Sequence, residues 1–276
     1  MIQVSNFGEI TQIKMGREIC SQAPDGFSGE VFYWTSAYLV DGLLIDTGCP
    51  HTAEEFVKFL EGQSLKLAAN THFHEDHIGA NHLLQKQFGL RILASHKSIP
   101  LIDKVHKIHQ YQELVWGYPV PTKVEPLPDR IETEHFRFEV IETPGHCAGH
   151  VALVELQRGW CFSGDLYLSR EPKAIRPDED IAVMARSMQK LVDLKMEQLT
   201  LFTSLGNVIP DGREALKSCI AYLKDLSRKS KSLEKQGLSP GTIRDKLFGR
   251  ETALYALTDG DVSSENMIRA ALRARF

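Results

Sequence analysis

THFHEDHIG, residues 71–79, places three imidazoles and a carboxylate within the six positions from His72 to His77. It follows LKLAAN (65–70), a short apolar run that reads as a strand. In an extended segment residues i and i+2 point the same way, so His72 and His74 can converge on one ion. Where the strand gives way to a helix, Asp76 and His77 can turn towards a neighbouring position. Neutral imidazole and carboxylate suit zinc, iron or manganese better than calcium or copper(I). Four such groups at one strand-to-helix junction are hard to reconcile with an ordinary polar loop.

A closed site needs ligands from elsewhere in the chain. TPGHCAGH (143–150) follows the strand pattern FRFEVIET (136–143) and offers His146 in a turn. SGD (163–165) ends another strand pattern, WCFSGD, and offers Asp165, whose two oxygens can bridge a pair of ions. Each is weak alone; their order after the cluster gives them weight. Preceded by LLIDTG (43–48), this order resembles the metallo-beta-lactamase superfamily over about residues 30–215. The resemblance implies an α/β fold, a four-layer αββα sandwich with the metal site at one edge of its two sheets. It implies that His72, His74 and His146 hold a first metal, that Asp76 and His77 hold a second, and that Asp165 bridges. Asp46 of the DTG turn would support these ligands without binding metal itself.

One position departs from the family pattern. Aligning Gly206 of TLFTSLGNVIPDG (200–212) with the family's last glycine-flanked turn puts Leu205 where a histidine belongs, and leucine ligates nothing. The expectation is one tightly held metal, zinc first and iron or manganese as alternatives, and a weaker second ion. His150, Ser204 and Asn207 are the nearby polar substitutes.

This chemistry points to hydrolysis. A metal lowers the pKa of bound water to about 7, which makes hydroxide available at neutral pH. If the second metal is absent, Asp76 is the candidate to orient or deprotonate that water. The expected substrate is a small ester, thioester or lactone, perhaps anionic in its tail, with thioesters suggested by relatives resembling hydroxyacylglutathione hydrolase. The alternatives are a phosphodiesterase or nuclease of the same superfamily and a catalytically reduced metal-binding module.

The rest of the chain narrows the classes. Its 276 residues are 42% hydrophobic and 25% charged, and the net charge of −4 disfavours nucleic acid as a partner. No apolar run is long enough to span a bilayer, and MIQVSNFGEI lacks the pattern of a secretory signal. Five scattered cysteines without CxxC spacing favour reduced thiols and a cytoplasmic setting.

The element pattern alternates strand and helix up to about residue 95 and turns helical in the last hundred residues. VFYWTSAYLV (31–40) reads as a strand that turns at Asp41-Gly42 into LLID. Thr52 and Glu55 read as a capping box opening a helix through Leu60. Helical signals cover 78–88 and 97–116, and later about 211–229, 240–248 and 264–274. Residues 1–230 are expected to form the sandwich, and residues 231–276 a helical extension packed on it. Met184 and Met188 fall on an apolar stripe that reads as core.

Several features compete for attention. Asp103, His106 and His109 imitate a metal triad at helical spacing but lack a completing motif. Cys49 and Cys147 flank the motifs and read as buried thiols. Trp116 and Tyr118 could cover a cleft. Between 211 and 250 ten Lys/Arg face five Asp/Glu, and Lys224, Arg228, Lys229, Lys231 and Lys235 could draw in an anionic substrate tail.

Overall fold

Alternating apolar residues near the N-terminus build a hairpin of β1 (Ile2–Phe7) and β2 (Ile10–Met15), which begins the first sheet. The computed structural model describes residues 1–23, 26–31, 33–104 and 107–276, and side chains outside 18–32. A separate hairpin, β3 (Glu18–Ala23) with β4 (Gly26–Val31), follows. The first sheet resumes with β5 (Thr35–Val40), β6 (Leu43–Ile45), β7 (Leu67–Ala69), β8 (Ile92–Ala94) and β9 (Glu125–Pro126). Its spatial order is β1-β2-β5-β6-β7-β8-β9. The second sheet runs in chain order through β10 (Arg130–Glu132), β11 (Arg137–Glu142), β12 (Val151–Glu155), β13 (Trp160–Gly164), β14 (Thr200–Thr203) and β15 (Val208–Ile209).

Three buried clusters record the layering. Tyr38, Leu43, Ile45, Phe138, Leu153 and Phe162 fill the space between the sheets. The outer face of the first sheet packs on α1 (Ala53–Leu60) and α3 (Asn81–Phe88), the latter following the short helix α2 (Glu75–Ile78). Phe56, Val57 and Leu60 of α1 are buried there, each contributing roughly 1.5–3 kcal/mol. Beyond α4 (Ile99–Ile102) and α5 (Gln110–Val115), the second sheet's outer face is covered by α6 (Ile181–Val192) and α7 (Gly212–Glu234). This is the αββα sandwich. The chain continues through α8 (Pro240–Phe248), α9 (Ala253–Leu257) and α10 (Ser264–Arg273), and Met267, Ile268 and Ala271 of α10 join the same core as α6 and α7.

Local readings met tertiary context in several places. The capping box at Thr52 does not form: its hydroxyl turns back to the Cys49 carbonyl at 3.2 Å and caps nothing. The run 31–40 divides between β4 and β5, and the 97–116 helix divides into α4 and α5. Ser239 and Ser263 cap α8 and α10, each hydroxyl accepting a backbone N–H of the first turn. Met184 and Met188 are buried in the outer core.

Candidate metal centre

The site assembles at the ends of strands from both sheets. His72 and His74 follow β7, Asp46 follows β6, His146 lies in the turn between β11 and β12, and Asp165 follows β13. Asp46 takes up a left-handed backbone conformation, φ +59°, and points its carboxylate across the end of β7. There it accepts the backbone N–H of Thr71 at 2.7 Å and the Thr71 hydroxyl at 2.8 Å. Gly164, φ +48°, makes room on the other side, because a Cβ there would come within 2.6 Å of His150 Nε2.

Ring nitrogens converge. His74 Nδ1 lies 3.0 Å from His72 Nε2 and 2.9 Å from His146 Nε2, and all three rings are buried. One ligand atom each from His72, His74, His146 and Asp165 falls within 4.8 Å of the others. Around a zinc ion about 2.0–2.1 Å from each nitrogen, neighbouring ligand atoms sit roughly 3.3 Å apart, close to this spacing. The tautomers are set from behind. His146 Nδ1 faces Glu179 Oε2 at 3.0 Å and His77 Nδ1 faces Asp46 Oδ2 at 2.8 Å. A carboxylate accepting the Nδ1 proton leaves Nε2 with a bare lone pair facing the centre, the usual support for a metal-binding imidazole. His77 Nε2 is buried and has no hydrogen-bond partner. It lies 3.3 Å from Asp165 Oδ1 and 3.6 Å from Asp76 Oδ2, while Asp165 Oδ2 is 3.4 Å from His146 Nε2. The two oxygens of Asp165 thus face two different histidines. An orphaned buried nitrogen among carboxylates fits a divalent cation.

Burial, then the neighbouring imidazoles, lowers the pKa of His72; burial and the Arg176 guanidinium lower that of His74. Both rings are neutral, as ligands must be. Burial opposes protonation of His77, but Asp46, Asp76 and Asp165 outweigh it and raise its pKa. Asp76 is raised by burial and by Asp165, against the pull of His77.

The centre opens into a cavity of about 100 Å3. Asp76, His146 and Asp165 form its polar end, and Tyr33, Trp116, Ile175, Leu254, Leu257 and Val262 form much of the remainder. Arg176, the one cation lining it among the described residues, is held 4.0 Å from Glu75 and 3.9 Å from Asp261, and its Nη1 is 3.2 Å from His74 Nε2. Asp261 also accepts the Tyr111 hydroxyl at 2.6 Å.

A profile of the metallo-beta-lactamase superfamily matches residues 35–198, more than half of the chain. The chain belongs to the metallo-beta-lactamase superfamily. A hydroxyacylglutathione hydrolase GloC of Haemophilus influenzae is 29% identical over 133 residues, 45% of this chain and 59% of that protein. A hydroxyacylglutathione hydrolase of Chelativorans sp. is 27% identical over 178 residues, 64% of this chain and 63% of the relative. The chain thus spans less than two thirds of the length of these relatives. Among solved structures, a beta-lactamase domain protein from Burkholderia ambifaria shares the fold, with a TM-score of 0.72 at 16% identity over 98% of this chain and 87% of that one. As a member of that superfamily, the chain carries a His/Asp cluster suited to metal.

Within that metallo-beta-lactamase frame, the structure brings His72, His74, His146 and Asp165 into one group and sets His77 and Asp76 beside it. The substitutes for the absent histidine fare differently. His150 Nε2 accepts the backbone N–H of Asp165 at 3.1 Å, and its Nδ1 faces the Thr143 hydroxyl at 2.8 Å, so it anchors the strand end and has no free ligand atom. Asn207 is exposed. Ser204 is buried, lacks a well-aligned hydrogen-bond partner, and approaches Asp165 closely enough to favour its carboxylate form. Leu205 is half-buried.

Sequence reasoning missed Glu179, Arg176 and Tyr33, each single residues without a local motif. Of the decoys, His106 lies outside the described residues, and the backbone N–H of His109 bonds Gln112 at the start of α5. Cys49, Cys147, Cys161 and Cys219 are free and buried, and burial raises the pKa of Cys49 and Cys147. Trp116 lines the cavity, whereas Tyr118 and the basic residues of α7 do not. No helix of the described residues is long and apolar enough to cross a membrane.

Proposed function

We propose that the protein hydrolyses a small ester, thioester or lactone with the help of bound metal, zinc in the first instance. The observation that supports this most directly is the convergence of His72 Nε2, His74 Nδ1 and His146 Nε2 at the polar end of a cavity whose remaining lining is largely apolar, with Arg176, Glu179 and Thr258 among it. In this reading those three histidines hold the first ion, Asp76 and His77 hold the second, and Asp165 bridges. Bound metal would acidify a water and polarise the substrate's carbonyl oxygen.

The chain's own residues do the rest. With the second position empty, Asp76 orients the attacking water and accepts its proton, while Asp46 and Glu179 fix the ring orientations of His77 and His146. Tyr33 borders the cavity with its phenol held protonated by burial and by Asp165 and Asp76, so it presents a hydrogen-bond donor to the substrate. Hydrolysis joins the water oxygen to the acyl carbon and breaks the acyl–oxygen or acyl–sulfur bond. The proton taken from water passes to the leaving group. The names of the curated relatives favour a thioester within this class.

With Leu205 in place of a histidine, only Asp76, His77 and Asp165 would hold a second ion, and weakly. After gentle dialysis one ion per chain should remain by elemental analysis; two equally persistent ions would overturn this. The purified, metal-quantified protein should cleave members of a thioester, ester and lactone panel and leave phosphodiesters intact. Asp76→Asn should lower kcat by at least the 100-fold typical of a lost general base, and a fully active variant would remove Asp76 from the mechanism.

A further inference from the structure

The catalytic cavity has an unexplained neighbour. Behind its apolar wall lies a second void of about 40 Å3, and the two share Leu168, Ala174, Ile175 and Glu179 as lining. The shared wall is the irregular segment between β13 and α6, which carries no helix or strand of its own. Leu168 and Ala174, both apolar, are only half-buried, and each borders both cavities. Ile175 is the exception. It is buried and pairs with Ser263 through two backbone hydrogen bonds, of 3.3 and 3.1 Å. That pairing stitches the wall to the C-terminal helical segment.

The inner void is greasy and soft. Met184, Met188 and Met267 line it together with Ile181, Leu223 and Cys219, and the exposed Ser169 and half-buried Pro172 border it on the side of the surface. Methionine, unbranched and with three rotatable bonds, adapts to what lies against it. Glu179, the acidic member of the wall, is committed elsewhere. Its Oε2 faces His146 Nδ1 at 3.0 Å, and its Oε1 accepts the Arg176 backbone N–H at 2.9 Å. From the metal centre inwards, the lining therefore changes from carboxylates and imidazoles to aliphatic side chains and then to methionines.

We infer that the substrate's acyl group is an unbranched aliphatic chain of medium length, running from the metal centre along Leu168 and Ile175 and past Ala174 into the methionine-lined void. The inference rests on the hydrolase reading above and deepens it. A straight chain is the shape that two small spaces with Leu168, Ala174 and Ile175 as common lining can take up together. The leaving group stays on the solvent side and contributes little to selection.

Two measurements test this separately from the hydrolase reading. The first is kcat/KM of the metal-loaded protein for p-nitrophenyl esters of two to twelve carbons. It should rise about fourfold for each added methylene, the hydrophobic increment for one buried CH2, until the void is filled, and then fall. The second needs no turnover: straight-chain carboxylates of the same lengths should raise Tm by an amount that grows with chain length and then levels off. In Met188→Trp and Ala174→Phe the preferred length should shorten, with the ratio of octanoyl to butanoyl kcat/KM falling at least tenfold. Ester cleavage with a flat length profile overturns the acyl channel and leaves the hydrolase reading standing. No cleavage of any ester, with a length-dependent rise in Tm, overturns the hydrolase reading and keeps the channel. A profile that neither tryptophan nor phenylalanine shortens also overturns the channel.

Discussion

At Asp46 a single residue does two jobs that conflict locally. Its left-handed backbone costs free energy, on the order of 1–3 kcal/mol for such sites, yet it aims one carboxylate at both Thr71 and His77. Asp46→Ala should release the His77 ring and weaken metal binding roughly 10- to 100-fold, the usual effect of losing a residue behind a ligand; competition with a chromogenic chelator measures it. Unchanged affinity would show that His77 needs no support. Leu205→His makes the complementary case. Restoring an imidazole at the turn after β14 should raise retention of the second ion through dialysis while the first stays as it was. The six ligand candidates could be read from the chain because their spacing is local: His72 to His77 occupy one turn, and TPGH and SGD are short motifs at strand ends. Glu179 could not be read so. It reaches His146 from 33 residues away, and a lone glutamate before a helix has nothing in its neighbours to mark it.

Among the elements, α2 is the one whose position matters most. It is only four residues long, too short to hold itself, and is fixed by its surroundings. The Thr47 N–H bonds the His77 carbonyl at 2.9 Å, and the Gly79 N–H bonds the Gly48 carbonyl at 2.8 Å. Gly79 sits so close to the DTG loop that a Cβ would come within 2.3 Å of the Cys49 and Pro50 backbone. Gly79→Ala should therefore push α2 away and cost about 1–3 kcal/mol, as overpacking does, with loss of metal affinity alongside. Urea unfolding of both proteins gives the difference, and a neutral result would mean that the loop yields without strain. The Thr52 cap failed for a related reason. Its hydroxyl had a nearer carbonyl in the tight turn at Cys49, so tertiary placement of that turn overrode a motif that was present in the chain. The 97–116 helix divided where residues 103–104 and 107–109 leave the helical path, although the helical signal on either side was sound.

For the whole molecule, the question is whether the last helices belong to the sandwich. α7 runs through residue 230 without a break, and α10 buries Met267, Ile268 and Ala271 in the core that also holds α6. Arg176 and Tyr111 both meet Asp261, which ties this segment to the rim of the metal centre. Met267→Ala should cost about 2–5 kcal/mol, the range for a large side chain removed from a core, and unfolding followed by circular dichroism and by tryptophan fluorescence should coincide. Separate transitions would make the extension an independent unit. By itself the chain offered the candidate metal-binding groups and their order, and sheets with helices packed outside, because ligand spacing and apolar periodicity are local properties; that the sheets are two and stacked was implied by the family resemblance. Only the tertiary structure decided that Glu179 backs His146 and that His77 is the ring Asp46 meets, that Ser204 stands beside Asp165, and that the C-terminal helices wall the cavity. Those pairings join residues 30 to 150 positions apart, and contacts made only once over such distances leave no repeating pattern in a sequence.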